Sequence, residues 1–258
     1  MWVRDRVLRW LYQRCTRLLY IGRRSLEHFD RIGCPDEKLV FSPYFVDTTS
    51  FHWSEKDRTE LRPWIRQSLG VKEREKVLLF SGKLSPRKGP DLLLEAVKKL
   101  PSKLQEEIVI LFMGNGELKD RLEKDAKSLL AGKVHFVGFQ NQTVLSRYYH
   151  AADLLIVPSR SAEVWGLVVN EGLHHGLPCV VSEGVGCAPD LIEPRITGEI
   201  FETNSAESLA LAIQRALSLI GRPEIREKCR QRVASYTVEK AAQGIAQAYM
   251  SVINGSTK

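Results

Sequence analysis

The sequence predicts an α/β fold built on a doubly wound, parallel six-stranded sheet, on two observations. From residue 76 onward, short apolar runs alternate with amphipathic ones six times over, and strands that alternate with helices imply βαβ crossovers. The apolar runs are continuous rather than alternating, as strands covered on both faces must be.

The segments ahead of the repeat follow in order. Residues 1–14, MWVRDRVLRWLYQR, place Val3, Val7, Trp10 and Leu11 at helical spacing with arginines between them. A short apolar run, RLLYIG, and a helix-like stretch, RRSLEHFDRIG, come next. KLVFSPYFVDTTSFHW contains Pro43 and an Asp-Thr-Thr-Ser cluster, both breakers, and residues 44–60 read as a linker. The six repeats are VLLFSG with PDLLLEAVKKL, IVILFMG with ELKDRLEKDAKSLL, VHFVGF with QTVLSRYYHAA, LLIVPS with GLVVNEGLHHG, PCVVSE with APDLIE, and GEIFE with AESLALAIQRALSLI. Helices at about 223–235 and 237–253 close the chain.

Composition narrows the class. A chain of 258 residues holds one large domain or two small ones. Its 43% hydrophobic and 27% charged residues are those of a soluble globular protein. No apolar run reaches the roughly 18 residues of a bilayer span. Arg9, Arg14 and Arg17 interrupt what would be the apolar core of a signal peptide. Five cysteines with no close CxxC pair fit a reduced cytoplasmic protein whose thiols are small buried hydrophobes. Net charge is +7, but residues 1–24 alone hold seven arginines against Asp5. The basic character therefore belongs to the first segment, and no nucleic-acid partner is expected.

In a parallel sheet ligands sit beyond the carboxyl ends of the strands, so the loops after the strands are the candidates. GKLSPRKGP, residues 82–90, carries Lys83, Arg87 and Lys88, which suits a phosphate or a solvated basic turn. MGNGEL, residues 113–118, has Gly114 and Gly116 for a tight turn and close backbone approach before a helix. It lacks the third glycine of a dinucleotide fingerprint. In VGFQNQ, residues 137–142, Gly138 and Phe139 offer backbone groups and a ring edge to a base, or are a turn glycine and a core ring.

The fourth loop is SAEVWGLVVNEGLHHGLPCVV, residues 161–181, where Glu163 and Glu171 lie on either side of a helix start. The N–H groups of Trp165, Gly166, Leu167 and Val168 lack an intrahelical acceptor and suit a pyrophosphate. Glu171 is about five residues into the helix, roughly 7 Å along its axis. A nucleotide-sugar has the same order of parts: ribose hydroxyls, two phosphates, sugar hydroxyls. A capped helix with a surface glutamate is the plainer alternative. Trp165 reads as packing rather than stacking. His174 and His175 form no HExxH, and no other His/Cys pair has ligand spacing, so no metal is expected.

Together these loops resemble the C-terminal, donor-binding half of a GT-B glycosyltransferase of the retaining family 4 type, over residues 39–252. The most specific part is Glu-x7-Glu, Glu163 to Glu171, within EVWGLVVNEGLHHGLPCVV. GKLSPRKG looks like the family's G-[RK]-L-x-x-x-K-G loop, with Lys83 where arginine is frequent and Lys88 matching directly. FSPYFVDTTSF resembles the family's linker.

The resemblance implies a remnant of an N-terminal acceptor domain over 1–43, a Rossmann-like donor domain over 61–236 and a crossover helix over 237–258. It implies Lys83 and Lys88 on the donor diphosphate, Glu171 on the ribose and Glu163 at the donor sugar. The catalytic set is then Glu163, Lys88 and Lys83. Gly114, Gly138, Phe139, Trp165, Gly166, Leu167, Val168 and Glu171 complete the donor site. The family's reaction is sugar transfer to a hydroxyl with retention, by front-face displacement and without a DxD metal motif. A UDP-sugar is favoured over a GDP-sugar. The acceptor is a glycan or lipid-linked, in cell-surface polysaccharide or lipopolysaccharide synthesis, on the cytoplasmic side.

About 40 residues precede the linker, so the expectation is a fragment or truncated frame that binds donor weakly and transfers poorly alone. A non-catalytic nucleotide-sugar-binding module is the alternative. A non-hydrolysing epimerase would bring acids and histidines that are not found. The basic N-terminal stretch, with Trp2, Trp10 and Tyr12, fits either an interfacial membrane helix or a face packed on the missing domain.

Overall fold

The computed structural model describes residues 2–130, 132–160 and 163–255; Ser161, Ala162 and the Trp2 side chain fall outside that description. In chain order the elements are α1 (Trp2–Arg14), β1 (Leu18–Tyr20), α2 (Arg23–Ile32), β2 (Leu39–Phe41), α3 (Glu55–Ser68), β3 (Lys76–Ser81), α4 (Pro90–Lys98), α5 (Ser102–Gln105), β4 (Ile108–Met113), α6 (Lys119–Leu129), β5 (Val134–Gly138), α7 (Gln142–Ala151), β6 (Leu154–Val157), α8 (Leu167–His174), β7 (Cys179–Ser182), α9 (Ala188–Leu191), β8 (Gly198–Phe201), α10 (Ala206–Ala216), α11 (Pro223–Val233) and α12 (Val238–Gly255). They fall into two compact units, residues 1–47 with 235–258, and residues 48–234.

The larger unit contains all six expected strands in one parallel sheet, ordered β5-β4-β3-β6-β7-β8. Every residue of β4, β6 and β7 is buried, as are Val77–Phe80 of β3. The continuous apolar runs are thus strands covered on both faces. Helices α4 and α10 pack on each other, α3 on α7, and α11 on α8. The strand order reverses between β3 and β6, which are neighbours in space but not in sequence. At such a switch point the loops leaving the carboxyl ends open a crevice.

One helix begins inside the stretch expected to be linker. α3 starts at Glu55 behind a capping box: Ser54 Oγ accepts from Asp57 N–H at 3.1 Å and Asp57 accepts from Ser54 N–H at 3.0 Å. Its inward face sets arginines beside the buried Ile65. Arg62 and Arg66 each donate to Ala151 C=O at 3.0 Å and pair with the Asp153 carboxylate at 2.6 and 3.2 Å. Asp153 also accepts from the Val77 N–H of β3 at 2.8 Å. The two guanidiniums satisfy carbonyls at the end of α7 that no helical N–H can reach, where a cation is also favoured by the helix dipole.

In the smaller unit, β1 and β2 pair in parallel through the α2 crossover. Helix α12 packs on both, with Ser42 Oγ donating to Ala241 C=O at 3.1 Å. Helix α1 lies against α2 through its polar side. Arg9 Nε donates to Ile32 C=O at 2.8 Å, Asp5 pairs with Arg31 at 2.6 Å, and Tyr12 meets the edge of Phe29 at 5.3 Å. Val3, Val7, Trp10 and Leu11 are therefore turned outward, each at least 44% exposed. That inverts the usual amphipathic arrangement of a surface helix. Among the described residues no helix is long and apolar enough to cross a membrane.

Candidate functional site

The loops after β3, β4 and β6 are tied to one another by their backbones. Gly82 N–H donates to Met113 C=O and Leu84 N–H to Asn115 C=O, both at 2.9 Å, so the β3–β4 pairing continues into the loops. A Cβ at Gly114, where φ is 145°, would sit 1.9 Å from Gly82 O. The close approach this glycine permits is to the neighbouring loop. On the other side, Arg160 N–H donates to Arg87 C=O at 2.9 Å. The Arg160 guanidinium grips Asp91 through two bonds of 2.5 and 3.0 Å and reaches Asn204 Oδ1 at 2.8 Å.

Helix α8 starts where these loops meet. Gly166 at its N-cap has φ 96°, and a Cβ there would lie 2.6 Å from Val185 Cγ1. Glycine thus lets the chain turn sharply into the helix. Val169 N–H closes on Gly166 C=O at 2.9 Å, which leaves Leu167 and Val168 N–H with no intrahelical acceptor. Its N-cap, Gly166, offers no side chain to cap this end. An uncapped helix start is electropositive and favours an anion.

Glu163 stands just before it. It makes a parallel bridge to Val185, and its C=O accepts from Gly186 N–H at 2.8 Å, which anchors it to the loop after β7. Its carboxylate is held from both sides: Lys88 donates to Oε1 and Ser159 Oγ to Oε2. The Lys88 and Glu163 side chains are only 19% and 11% exposed.

Glu171 lies on α8 itself, and Tyr149 of α7 donates to its Oε2 at 2.5 Å. Burial raises the Glu171 carboxyl pKa, and the Tyr149 hydrogen bond opposes the rise. Burial, then the Glu171 charge, pushes the Tyr149 phenol well up, so it remains a donor. The phenol ring stacks on His175 at 4.8 Å. His175 Nδ1 lies 2.7 Å from Glu171 C=O and Nε2 2.8 Å from Ser146 Oγ. Burial pushes His175 down to about 3, which keeps the ring neutral.

A cavity of about 840 Å³ opens at the β3–β4–β5 side of this end of the sheet. Of the residues singled out by sequence, Lys83, Gly114, Phe139, Val168 and Glu171 line it. Lys88 and Glu163 meet each other instead. Gly138 ends β5 next to Asn115, and Leu167 is 41% exposed at the helix start. Phe139 is 76% exposed and so is no core ring. Trp165 is 3% exposed and donates from its indole to Asn170 Oδ1 at 2.9 Å, the packing role.

Sequence reading missed Ser50, Asn115, Asn141 and Thr143 on the cavity wall, and Tyr149 and Ser159 behind the glutamates. Asn141 carried a legible sign, since Asn ahead of QTVL is an N-cap pattern. Tyr149 carried none, because its partner lies two elements away. Among the described residues no group of three or more His, Cys, Asp or Glu side chains is placed to hold a metal ion.

The family model described as glycosyl transferases group 1 matches residues 62–235. An uncharacterized glycosyltransferase of Methanocaldococcus jannaschii is 34% identical over 213 residues, 80% of this chain and 52% of that protein. The lipopolysaccharide 1,2-N-acetylglucosaminetransferase of Salmonella typhimurium is 33% identical over 189 residues, 69% of this chain and 49% of that protein. The crystal structure of Anabaena HepE in complex with UDP shares the fold, with a TM-score of 0.75 over 92% of this chain and 64% of that one, at 22% identity. The chain spans about half the length of these curated relatives.

The Tyr149–Glu171 bond makes one expectation independent of any ligand. Tyr149→Phe removes the donor that opposes the effect of burial, so the Glu171 carboxyl pKa rises further. A ¹³C-carboxyl NMR titration, with the resonance assigned through Glu171→Gln, shows this as a higher midpoint. An unchanged or lower midpoint contradicts it.

Proposed function

The chain belongs to the glycosyl transferases group 1 family, and from that premise we propose that its site binds a nucleoside-diphosphate sugar and serves a retaining sugar transfer. The acceptor is a hydroxyl of a glycan or lipid-linked molecule in cell-surface polysaccharide or lipopolysaccharide synthesis, as a relative's name supports. One observation carries the proposal: two carboxylates flank an uncapped helix start, with Lys83 and Lys88 on the loop beside it.

In this reading the diphosphate lies on the Leu167 and Val168 amides, with Lys83 as an exposed cation at its side. The ribose hydroxyls donate to Glu171, whose Oε2 is already fixed by Tyr149. The base occupies the cavity near Phe139, and the sugar reaches toward Glu163. The bond from anomeric carbon to phosphate oxygen breaks while the acceptor oxygen bonds on the same face. The acceptor proton passes to the departing phosphate oxygen. The protein's contribution is to orient the parts and to stabilise charge growing on the leaving group. HepE's complex with UDP supports a uridine donor.

That the chain spans about half of its relatives' length favours a second reading. The chain then binds the donor, and transfer requires further protein.

A thermal-shift panel of UDP-, GDP- and ADP-sugars tests the site. A ligand at about 100 times its Kd adds about 2.7 kcal/mol of stability, and a UDP-sugar is expected to give the largest shift. Glu171→Gln is expected to remove most of it. A full shift in that variant contradicts the ribose placement.

We extend the proposal to the outward face of α1, where Val3, Val7, Trp10 and Leu11 lie exposed among arginines. Such a face suits the headgroup region of an anionic membrane. The chain is expected to float with vesicles containing phosphatidylglycerol and to be left behind by pure phosphatidylcholine. Trp10→Glu is expected to abolish flotation. Equal behaviour with both vesicles sinks the idea.

A further inference from the structure

The two lysines of the β3 loop are in different states. Lys83 is exposed on the cavity wall, and among the described residues its ammonium has no acidic partner. Lys88 is half-buried and spends its charge on Glu163 Oε1, while Ser159 occupies Oε2. Both oxygens of the carboxylate thought to serve the sugar are thus engaged before any ligand arrives.

A diphosphate that recruits Lys88 must draw it away from Glu163. A half-buried carboxylate that loses its cation is left uncompensated, which is unfavourable. What arrives with the phosphates decides whether that loss is repaired. A nucleotide-sugar brings hydroxyl donors for the vacated oxygen. A free nucleoside diphosphate brings no sugar hydroxyl to it.

We propose that the Lys88–Glu163 pair is a specificity determinant that makes the site favour a nucleotide-sugar over the free nucleoside diphosphate. The inference rests on the donor-site reading above and goes beyond it. Glu163 does more than contact the sugar: by holding Lys88 it weakens the hold on the product. Departure of the sugar then restores the pair and helps expel the diphosphate. Lys83 has no such partner and grips both ligands alike.

Calorimetry on the full chain tests this with two probe pairs, UDP with UDP-glucose and GDP with GDP-mannose. Glu163→Gln keeps the side chain's shape and a hydrogen-bonding oxygen but releases Lys88. It is expected to tighten the free diphosphate about tenfold, near the low end of the coupling found for close charge pairs. The nucleotide-sugar should tighten far less, so the preference for it collapses. In a Lys88→Met background Glu163→Gln should no longer change the preference, as a double-mutant cycle requires of a pair that acts together. Equal changes for both members of a probe pair overturn the proposal. So does an undiminished Glu163→Gln effect in the Lys88→Met background, which would mark plain charge repulsion. If wild type and Glu163→Gln bind neither probe pair, the donor-site reading itself fails and the selector falls with it. Matching denaturation midpoints for the variants identify any loss that comes from misfolding.

Discussion

A carboxylate and an ammonium largely removed from water must stay together or be compensated separately, and Lys88 with Glu163 is such a pair. It joins the loop after β3 to the segment that follows β6. Those two loops are neighbours only because the strand order reverses between β3 and β6. Around the pair the same ends are fixed again: Arg160 holds the β3 loop through the Pro86 and Arg87 carbonyls and the start of α4 through Asp91, and Gly186 holds the Glu163 backbone. The sheet order thus reaches the chemistry through a short chain of contacts.

The start of α8 has glycine at its N-cap and no side-chain cap from it. Glutamates near a helix N-terminus are natural partners for its amides, and two of them lie nearby. Each is held elsewhere. Glu163 answers to Lys88 and Ser159, and Glu171 to Tyr149. The stacked Tyr149 and His175 rings keep the second arrangement in place, since His175 is bonded both to the Glu171 backbone and to Ser146. The carboxylates that could compete for the Leu167 and Val168 amides are thus bonded elsewhere.

How much of this was legible in the sequence follows from what each element buries. The six strands were readable because β4, β6 and β7 are apolar along their whole length. Helix α3 was not, since Arg62 and Arg66 share its inward face with the buried Ile65, and hydrophobic periodicity is weak where guanidiniums hold a helix. Its capping pair, Ser54 and Asp57, was the sign available. Glu163 and Glu171 were recognised through their spacing around a glycine, which is local. The Lys88, Ser159 and Tyr149 contacts depend on which loops become neighbours, and no linear spacing carries that. Gly114 was read as allowing a tight turn and close backbone approach, and the approach the structure shows is to the Gly82 carbonyl.

The central claim is that Glu163 and Glu171 bracket a diphosphate seated on the start of α8. A crystal structure of the chain with UDP bound tests it most directly. The account predicts phosphate oxygens at about 2.9 Å from the Leu167 and Val168 amides, with the ribose hydroxyls on Glu171 Oε1. UDP bound with its phosphates away from the α8 amides, or with its ribose out of reach of Glu171, would contradict it.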